Sequence, residues 1–148
     1  MDMAILPQDF RDFLKLLNAK RIKYLLIGGY AVGYYGYPRA TADMDIWIAV
    51  SEDNAKKMTQ VIKEFGMDTP ELNENFFLKP GKMVRIGYPP IRIEILTEVS
   101  GVKFEKCYAR RKEVKIDGVT VKLISLADLL KNKKASGRYK DLNDLENL

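Results

Sequence analysis

The sequence predicts an α/β fold of the α+β kind, with a small mixed β-sheet flanked by helices in a single domain of residues 1–148. Three observations predict it. Segments with a helical period of apolar residues alternate along the chain with segments that have a strand period. The length of 148 residues, 47% of them hydrophobic, suits one core. No internal repeat, low-complexity stretch or linker divides the chain.

The first third of the chain predicts a helix, a strand and a second short helix. Residues 7–19 carry a stripe of phenylalanines and leucines at helical spacing. Residues 24–27 form a short apolar run that ends at Gly28 and Gly29. Because a glycine and a proline stop the segment that follows, its helix should end near residue 35.

The middle of the chain predicts a strand with one polar face and a helix behind it. Apolar and polar residues alternate over residues 43–48, so Asp43 and Asp45 share the face opposite the apolar one. Residues 52–65 then show a helical apolar stripe, and Ser51 is placed to cap the first turn.

The rest of the chain predicts further strands and two final helices. Residues 83–88 and 91–96 are strand-like runs separated by two prolines. Residues 114–123 have the pattern of a hairpin around an Asp-Gly turn. A helix capped by Ser125 and a last helix over residues 139–148 complete the predicted order.

The absence of histidine excludes several kinds of catalytic site. A chain with no histidine holds no Ser-His-Asp or Cys-His site, no zincin motif and no histidine-ligated zinc. The single cysteine, Cys107, cannot form an internal disulfide, and neither a secretory signal nor a membrane-spanning apolar run is present. We therefore expect a cytoplasmic protein, without membrane partners, whose chemistry uses carboxylates, amines, hydroxyls or a hard metal ion.

Positive charge is concentrated in the last third of the chain. The formal net charge is +5, and residues 103–140 carry twelve basic against four acidic residues. This excess favours an anionic partner such as a nucleotide or RNA, and a solvated face of lysines is the alternative explanation.

Three carboxylates are the candidate catalytic and metal-binding residues. Asp43 and Asp45 lie two residues apart on one strand face, with Cα atoms about 6.5 Å apart, and would repel each other without a cation between them. Such a pair suits Mg²⁺, which prefers oxygen ligands. Glu94, on the polar face of a later strand, is the predicted third acid of a two-metal site, and Glu98 is the alternative.

Gly28 and Gly29 are the candidate phosphate-binding residues. Two glycines at a helix start leave backbone N–H groups open to a triphosphate. The segment matches neither a Walker loop nor the dinucleotide fingerprint. Thirteen residues separate Gly29 from Asp43, which is enough for a short helix and a return to the neighbouring strand. A tight turn without a ligand is the alternative for the glycines alone.

The segments 24–31 (YLLIGGYA) and 39–46 (RATADMDI) resemble the signature of the nucleotidyltransferase superfamily that includes DNA polymerase beta. That signature is an apolar strand, Gly-Gly or Gly-Ser, and Asp-x-Asp some ten to fourteen residues later. The Gly-Gly form is similar to the nucleotidyltransferase toxins of abortive-infection and toxin–antitoxin systems. Residues 134–145 (KASGRYKDLNDL) also resemble the closing helix of that group.

The resemblance implies a nucleotidyltransferase-like fold and assigns roles to particular residues. Asp43 and Asp45 would bind Mg²⁺, and Glu94 would ligate the second metal ion or activate the acceptor hydroxyl. Gly28 and Gly29 would hold the triphosphate of an NTP donor. The other nucleotide-binding candidates are basic or hydroxyl residues that would line the approach or neutralise the leaving pyrophosphate, namely Arg39, Thr41, Lys133, Lys134 and Arg138. A minimal catalytic module, or one that needs a partner, is implied.

Three hypotheses follow. The first is a Mg²⁺-dependent nucleotidyltransferase that moves NMP from an NTP such as ATP to an RNA, tRNA or protein acceptor, as the toxin of a toxin–antitoxin pair. The second is an antitoxin or regulator of the same fold, with a cognate toxin as its partner. The third is a catalytically inactive member of the fold that binds RNA or protein, and whose RNA binding would be salt-sensitive.

Overall fold

The computed structural model describes residues 6–37, 43–67, 69–88 and 91–148. The elements follow in the order α1 (Gln8–Ala19), β1 (Tyr24–Ile27), α2 (Gly28–Tyr34), β2 (Asp43–Ile48), α3 (Glu52–Glu64), α4 (Glu74–Phe77), β3 (Met83–Tyr88), β4 (Ile91–Leu96), α5 (Phe104–Ala109), β5 (Lys112–Ile116), β6 (Val119–Leu123), α6 (Leu126–Ser136) and α7 (Tyr139–Asn147). None of the helices within these ranges is both long and apolar enough to span a membrane.

The strands within the described ranges form one mixed sheet of six, in the order β3-β4-β2-β1-β6-β5. Parallel pairing joins β2 to β4 and β1 to β6, and the other neighbours are antiparallel. This arrangement confirms the predicted mixed sheet flanked by helices. It places β2, with its aspartates, between β1 and β4, so the start of α2 and the polar face of β4 both lie beside Asp45.

Local sequence signals account for the ends of several elements. Ser51 and Ser125 are the N-caps of α3 and α6, and each hydroxyl accepts a hydrogen bond from the backbone N–H three residues later. The β5–β6 hairpin turns through Asp117 and Gly118, whose φ angles are +49° and +80°. Two central residues with positive φ are the requirement of a type I′ turn, which Asp-Gly meets.

The helices α4 and α5 were not predicted from the sequence. Both are shorter than the window over which an apolar stripe becomes visible, with four and six residues. The α4 helix is fixed by its cap, because the side chain of Asn73 accepts a hydrogen bond from the Phe76 N–H. The α5 helix is held by packing, since the ring of Phe104 meets Trp47 edge-on at a centroid distance of 5.1 Å.

Candidate active site

The sheet brings the three predicted carboxylates to one face. The strands β2 and β4 run parallel with Asp45 directly opposite Glu94, and Asp43 lies two residues before Asp45 on the same side. All three line a cleft of about 740 Å³ that Gly28 and Gly29 also line. The predicted acids and glycines therefore share one cavity.

Two arginines occupy cross-strand positions opposite the acids. Arg92 lies opposite Asp43, and its Nε–H donates to Asp43 Oδ1 at 3.1 Å. Arg85, on β3, lies opposite Glu94 and donates from Nε to Glu94 Oε2 at 3.1 Å. The position of Arg92 beside the acids could have been predicted from the sequence, because the alternation along β4 places Arg92 on the same face as Glu94.

Asp45 differs from Asp43 and Glu94 because no arginine of the described ranges holds it. Its half-buried carboxylate accepts no hydrogen bond and forms no ion pair with any residue in the described part of the chain. Burial raises the pKa of Asp45 to about 7, and the charges of Glu94 and Asp43 add to the rise. The nearby positive charges of Lys140 and Lys133 oppose it. A cation placed at Asp45 would relieve this unfavourable charge.

The chemistry of the acids fits a hard divalent cation, although the side chains are not arranged around one. Among residues 6–37, 43–67, 69–88 and 91–148, no group of three acidic or sulfur ligands is placed so that it could hold a metal ion. Arg92 and Arg85 hold two of the acids. Carboxylate oxygens are nevertheless the ligands Mg²⁺ prefers, and Asp45 is half-buried and has no ion-pair partner among the described residues.

The backbone at Gly28 passes so close to Asp45 that no side chain fits. A Cβ at residue 28 would lie 2.0 Å from Asp45 Oδ2, and the φ angle of +69° is one that L residues seldom adopt. The glycine is therefore required by both conformation and space. Gly29 follows as a buried residue in the first turn of α2 and lines the cleft.

Comparisons with known proteins agree with this geometry. Residues 7–148 match a family described as "Nucleotidyl transferase of unknown function (DUF2204)". The chain belongs to this family. No curated protein matches the sequence significantly. The family match confirms the resemblance to nucleotidyltransferases, and the toxin subtype stays a prediction.

Two solved structures have a similar fold. One is a candidate nucleotidyltransferase from Thermotoga maritima, with a TM-score of 0.65 and 16% identity over 98% of this chain and 94% of that chain. The other is an antigenic nucleotidyltransferase-like protein from Paracoccidioides brasiliensis, with a TM-score of 0.52 and 20% identity over 97% of this chain and 77% of that chain. At these identities the likeness is one of fold.

The residues predicted to bind the nucleotide differ from one another in whether they line the cleft of this nucleotidyl transferase family member. Lys133 and Arg138 line the cleft, and both are ion-paired with acids of α7. Lys134 is exposed and is not brought to the cleft lining. Arg39 and Thr41 lie outside the described residues. The roles of all five stay predictions.

A buried ionic cluster joins α6 to α7 at the edge of the cleft. Lys133 Nζ lies 2.9 Å from Asp141 Oδ1 and 3.2 Å from Asp144 Oδ2, and both aspartates are fully buried. Asp141 also accepts hydrogen bonds from the Ser136 hydroxyl and from Arg138 Nε. Burial alone would raise the pKa of Asp141, but these hydrogen bonds and that from Lys133 outweigh it and lower the pKa to about 2.

Other cleft residues were missed by sequence reasoning. The polar ones are Lys82, Arg85, Arg92, Ser100, Asn132, Ser136 and Lys140. They come from loops, the strands β3 and β4, and helices α6 and α7, which only the tertiary fold brings beside β2. The charge excess in the last third of the chain was the available signal for Lys140, but it did not distinguish this lysine from eleven other basic residues.

The raised pKa of Asp45 predicts a pH-dependent stability. In the metal-free protein this pKa is about 7, against 3.8 for an ordinary aspartate, so the folded state binds the proton more tightly. The stabilising contribution is complete below pH 4 and is lost as the pH rises through 7. Asp45→Asn cannot ionise and is expected to be more stable than the wild type at pH 8, by about 2–4 kcal/mol.

Urea unfolding in EDTA between pH 4 and 8 measures this difference. Asp53→Asn, at an exposed side chain of α3, is the control and should keep the wild-type pH profile. If the stability of Asp45→Asn falls between pH 4 and 7 as steeply as that of the wild type, Asp45 is not the group responsible.

Proposed function

We propose that the protein is a Mg²⁺-dependent nucleotidyltransferase that transfers NMP from an NTP to an RNA or protein acceptor. The observation that carries the proposal is the placement of Asp45, beside Glu94 on the parallel neighbour strand and against the Cβ-free backbone of Gly28. An acid without an ion-pair partner among the described residues, in a cleft that Gly28 and Gly29 also line, suits a phosphate ligand with its cation. The family to which the chain belongs supports this chemistry.

The residues that would hold Mg²⁺ are Asp43, Asp45 and Glu94. When bound, the ion would supply positive charge to the phosphates and to the reacting oxygens. Arg92, which pairs with Asp43, and Arg85, which pairs with Glu94, are both partly exposed. The arginines are therefore free to turn toward the phosphates once their acids bind a cation.

The proposed reaction exchanges a phosphoanhydride bond of the NTP for a phosphoester bond to the acceptor. An acceptor oxygen forms a bond to the α-phosphorus, the bond from that phosphorus to the β-phosphate oxygen breaks, and pyrophosphate leaves. Gly28 and Gly29 would approach the phosphates through their backbone, and the arginines would neutralise charge on the phosphate oxygens. Glu94 is the proposed group for activating the acceptor hydroxyl.

The surface charge favours RNA over protein as the acceptor. Between α5 and α6 a groove of about 420 Å³ is lined by Lys103, Lys106, Arg110 and Lys131, with Asp128 as its acid. Asp128 is already held by Arg110, at 2.8 and 3.1 Å. The remaining lysines are exposed and carry charge suited to a phosphodiester backbone.

A role in a toxin–antitoxin pair is part of the proposal. It rests on the likeness of residues 24–31, 39–46 and 134–145 to the toxins of that group. Expression of the wild type is expected to arrest growth, whereas the Asp43→Ala/Asp45→Ala variant should not, and a cognate antitoxin should suppress the arrest. Harmless expression of the active enzyme would instead favour the antitoxin or regulator role.

The position of the label in the donor tests the reaction. Each of the four NTPs, labelled at the α- or γ-phosphate, is incubated with Mg²⁺, the protein and pools of RNA and of protein. Nucleotidyl transfer attaches the α label and not the γ label. Asp43→Ala/Asp45→Ala is expected to lose transfer by more than about 1,000-fold while its circular dichroism is unchanged. Full transfer by that variant would refute the proposed site.

A catalytically inactive RNA-binding protein is the second candidate. The observation in its favour is that arginines already hold Asp43 and Glu94, as in a site that has lost its metal. This function predicts RNA binding that weakens steeply with salt and is unaffected by Asp43→Ala/Asp45→Ala. The same variant thus separates the two candidates, because only the enzyme loses its measured function.

A further inference from the structure

The cations that line the cleft differ in whether an acid already holds them. Within the described residues they are Lys82, Arg85, Arg92, Lys133, Arg138 and Lys140. Four form ion pairs with acids, and these are Arg85, Arg92, Lys133 and Arg138. Lys82 and Lys140 have no ion-pair partner in the part of the chain that the structure describes. These two lysines are therefore available to form ion pairs with an anionic ligand.

Lys140 differs from Lys82 in its place in the fold. It lies in the first turn of α7, which packs on α6, and it lines the cleft together with Lys133 of α6 and with Asp45. Lys82 precedes the edge strand β3, whose neighbour is β4 and not β2. Lys140 therefore stands near the acid proposed to hold the metal, while it remains exposed and able to contact a ligand.

The backbone at Lys140 is anchored by its neighbour in sequence. Asp141 is fully buried and bonded to Lys133, Ser136 and Arg138. This cluster fixes the first turn of α7 against α6, so Lys140 extends from a rigid position at the cleft. A side chain presented in this way loses less conformational freedom on binding than one on a loose terminus.

We propose that Lys140 binds the β- and γ-phosphates of the donor nucleotide and that the Lys133–Asp141–Asp144 cluster positions it there. The inference rests on the proposed function and names a nucleotide-binding residue outside the predicted set. A lysine ammonium serves as a compact charge for phosphate, with three donors on a flexible stem. It would offset charge on the pyrophosphate as the bond to the α-phosphate breaks.

The test compares ligands that differ only in their phosphates. Dissociation constants for ATP, AMP and inorganic tripolyphosphate, each with Mg²⁺, are measured by calorimetry for the wild type and Lys140→Gln. We expect Lys140→Gln to bind ATP and tripolyphosphate about tenfold or more weakly, and AMP as the wild type does. Lys140→Arg should restore most of the affinity, and Lys115→Gln, at an exposed residue of β5 that does not line the cleft, should change none of the three constants.

The other possible binding results would overturn either the role of Lys140 or the proposed function. Unchanged affinity of Lys140→Gln for ATP and tripolyphosphate would overturn the inference and leave the proposed function standing. Equal weakening for all three ligands would also overturn it, because the contact would not be with the β- and γ-phosphates. A wild type that binds neither tripolyphosphate nor any of the four NTPs would overturn the proposed function, and the role of Lys140 with it.

Discussion

Gly28→Ala is expected to abolish nucleotide transfer by displacing the carboxylate of Asp45. The new Cβ would lie 2.0 Å from Asp45 Oδ2 and 2.9 Å from its Cγ, so the acid must turn away. We expect a loss of transfer of more than about 100-fold, since the displaced group is proposed to bind the metal. Strain in the positive-φ backbone should also cost about 1–2 kcal/mol of stability.

Gly118→Ala separates the strain from the displacement. Gly118 has a φ of +80°, and no atom lies within 4 Å of the position that its Cβ would take. It belongs to the β5–β6 turn and is not among the residues that line the cleft. Both variants should lose similar stability in urea unfolding, but only Gly28→Ala should lose transfer. Equal activity of the two would show that the close approach to Asp45 has no functional consequence.

Lys133→Met is expected to destabilise the protein by about 3–5 kcal/mol, because it leaves Asp141 and Asp144 buried without their shared cation. The methionine fills similar space, so the loss reports the charge and not a cavity. Asp141 has a pKa of about 2, against 3.8 for an ordinary aspartate. In the wild type, the ionised Asp141 therefore adds to the free energy of unfolding above pH 4, and this contribution is lost as the pH falls toward 2.

Lys134→Met is the matched control for this prediction. Lys134 is the next residue of α6 and is exposed, so its replacement should change the free energy of unfolding by less than about 0.5 kcal/mol. Urea unfolding at pH 7 measures both variants. If Lys133→Met is too unstable to purify, Lys133→Met/Asp141→Asn should recover part of the loss because it removes one of the buried charges. Similar stabilities for the two single variants would contradict a structural role for Lys133.

The carboxylate face could be predicted because it depends on local periodicity. The period of two along residues 43–48 fixes Asp43 and Asp45 on one side, and the same rule puts Glu94 on the polar side of 91–96. The hairpin and the two serine caps also follow from residues adjacent in sequence. These local preferences hold in the folded protein because the tertiary contacts favour the same conformations.

The remainder of the site depends on contacts between distant segments. Sequence placed Lys133 on a basic helix end, where a solvated or phosphate-binding lysine is the usual expectation, yet the fold buries it between two aspartates of α7. The position of Lys140 beside β2 results from that same packing. Neither fact has a local signature, because helix periodicity identifies an apolar stripe and not the partner of a charged side chain.

The cleft is proposed to bind a nucleotide with Mg²⁺ through Asp45, and thermal unfolding tests this binding without knowledge of the acceptor. Mg²⁺ is titrated with each of the four NTPs into the wild type and into Asp45→Asn. We predict that at least one NTP raises the melting temperature of the wild type only when Mg²⁺ is present, and that Asp45→Asn shows no such rise. No stabilisation of the wild type by any NTP, or an equal rise in the variant, would contradict the account.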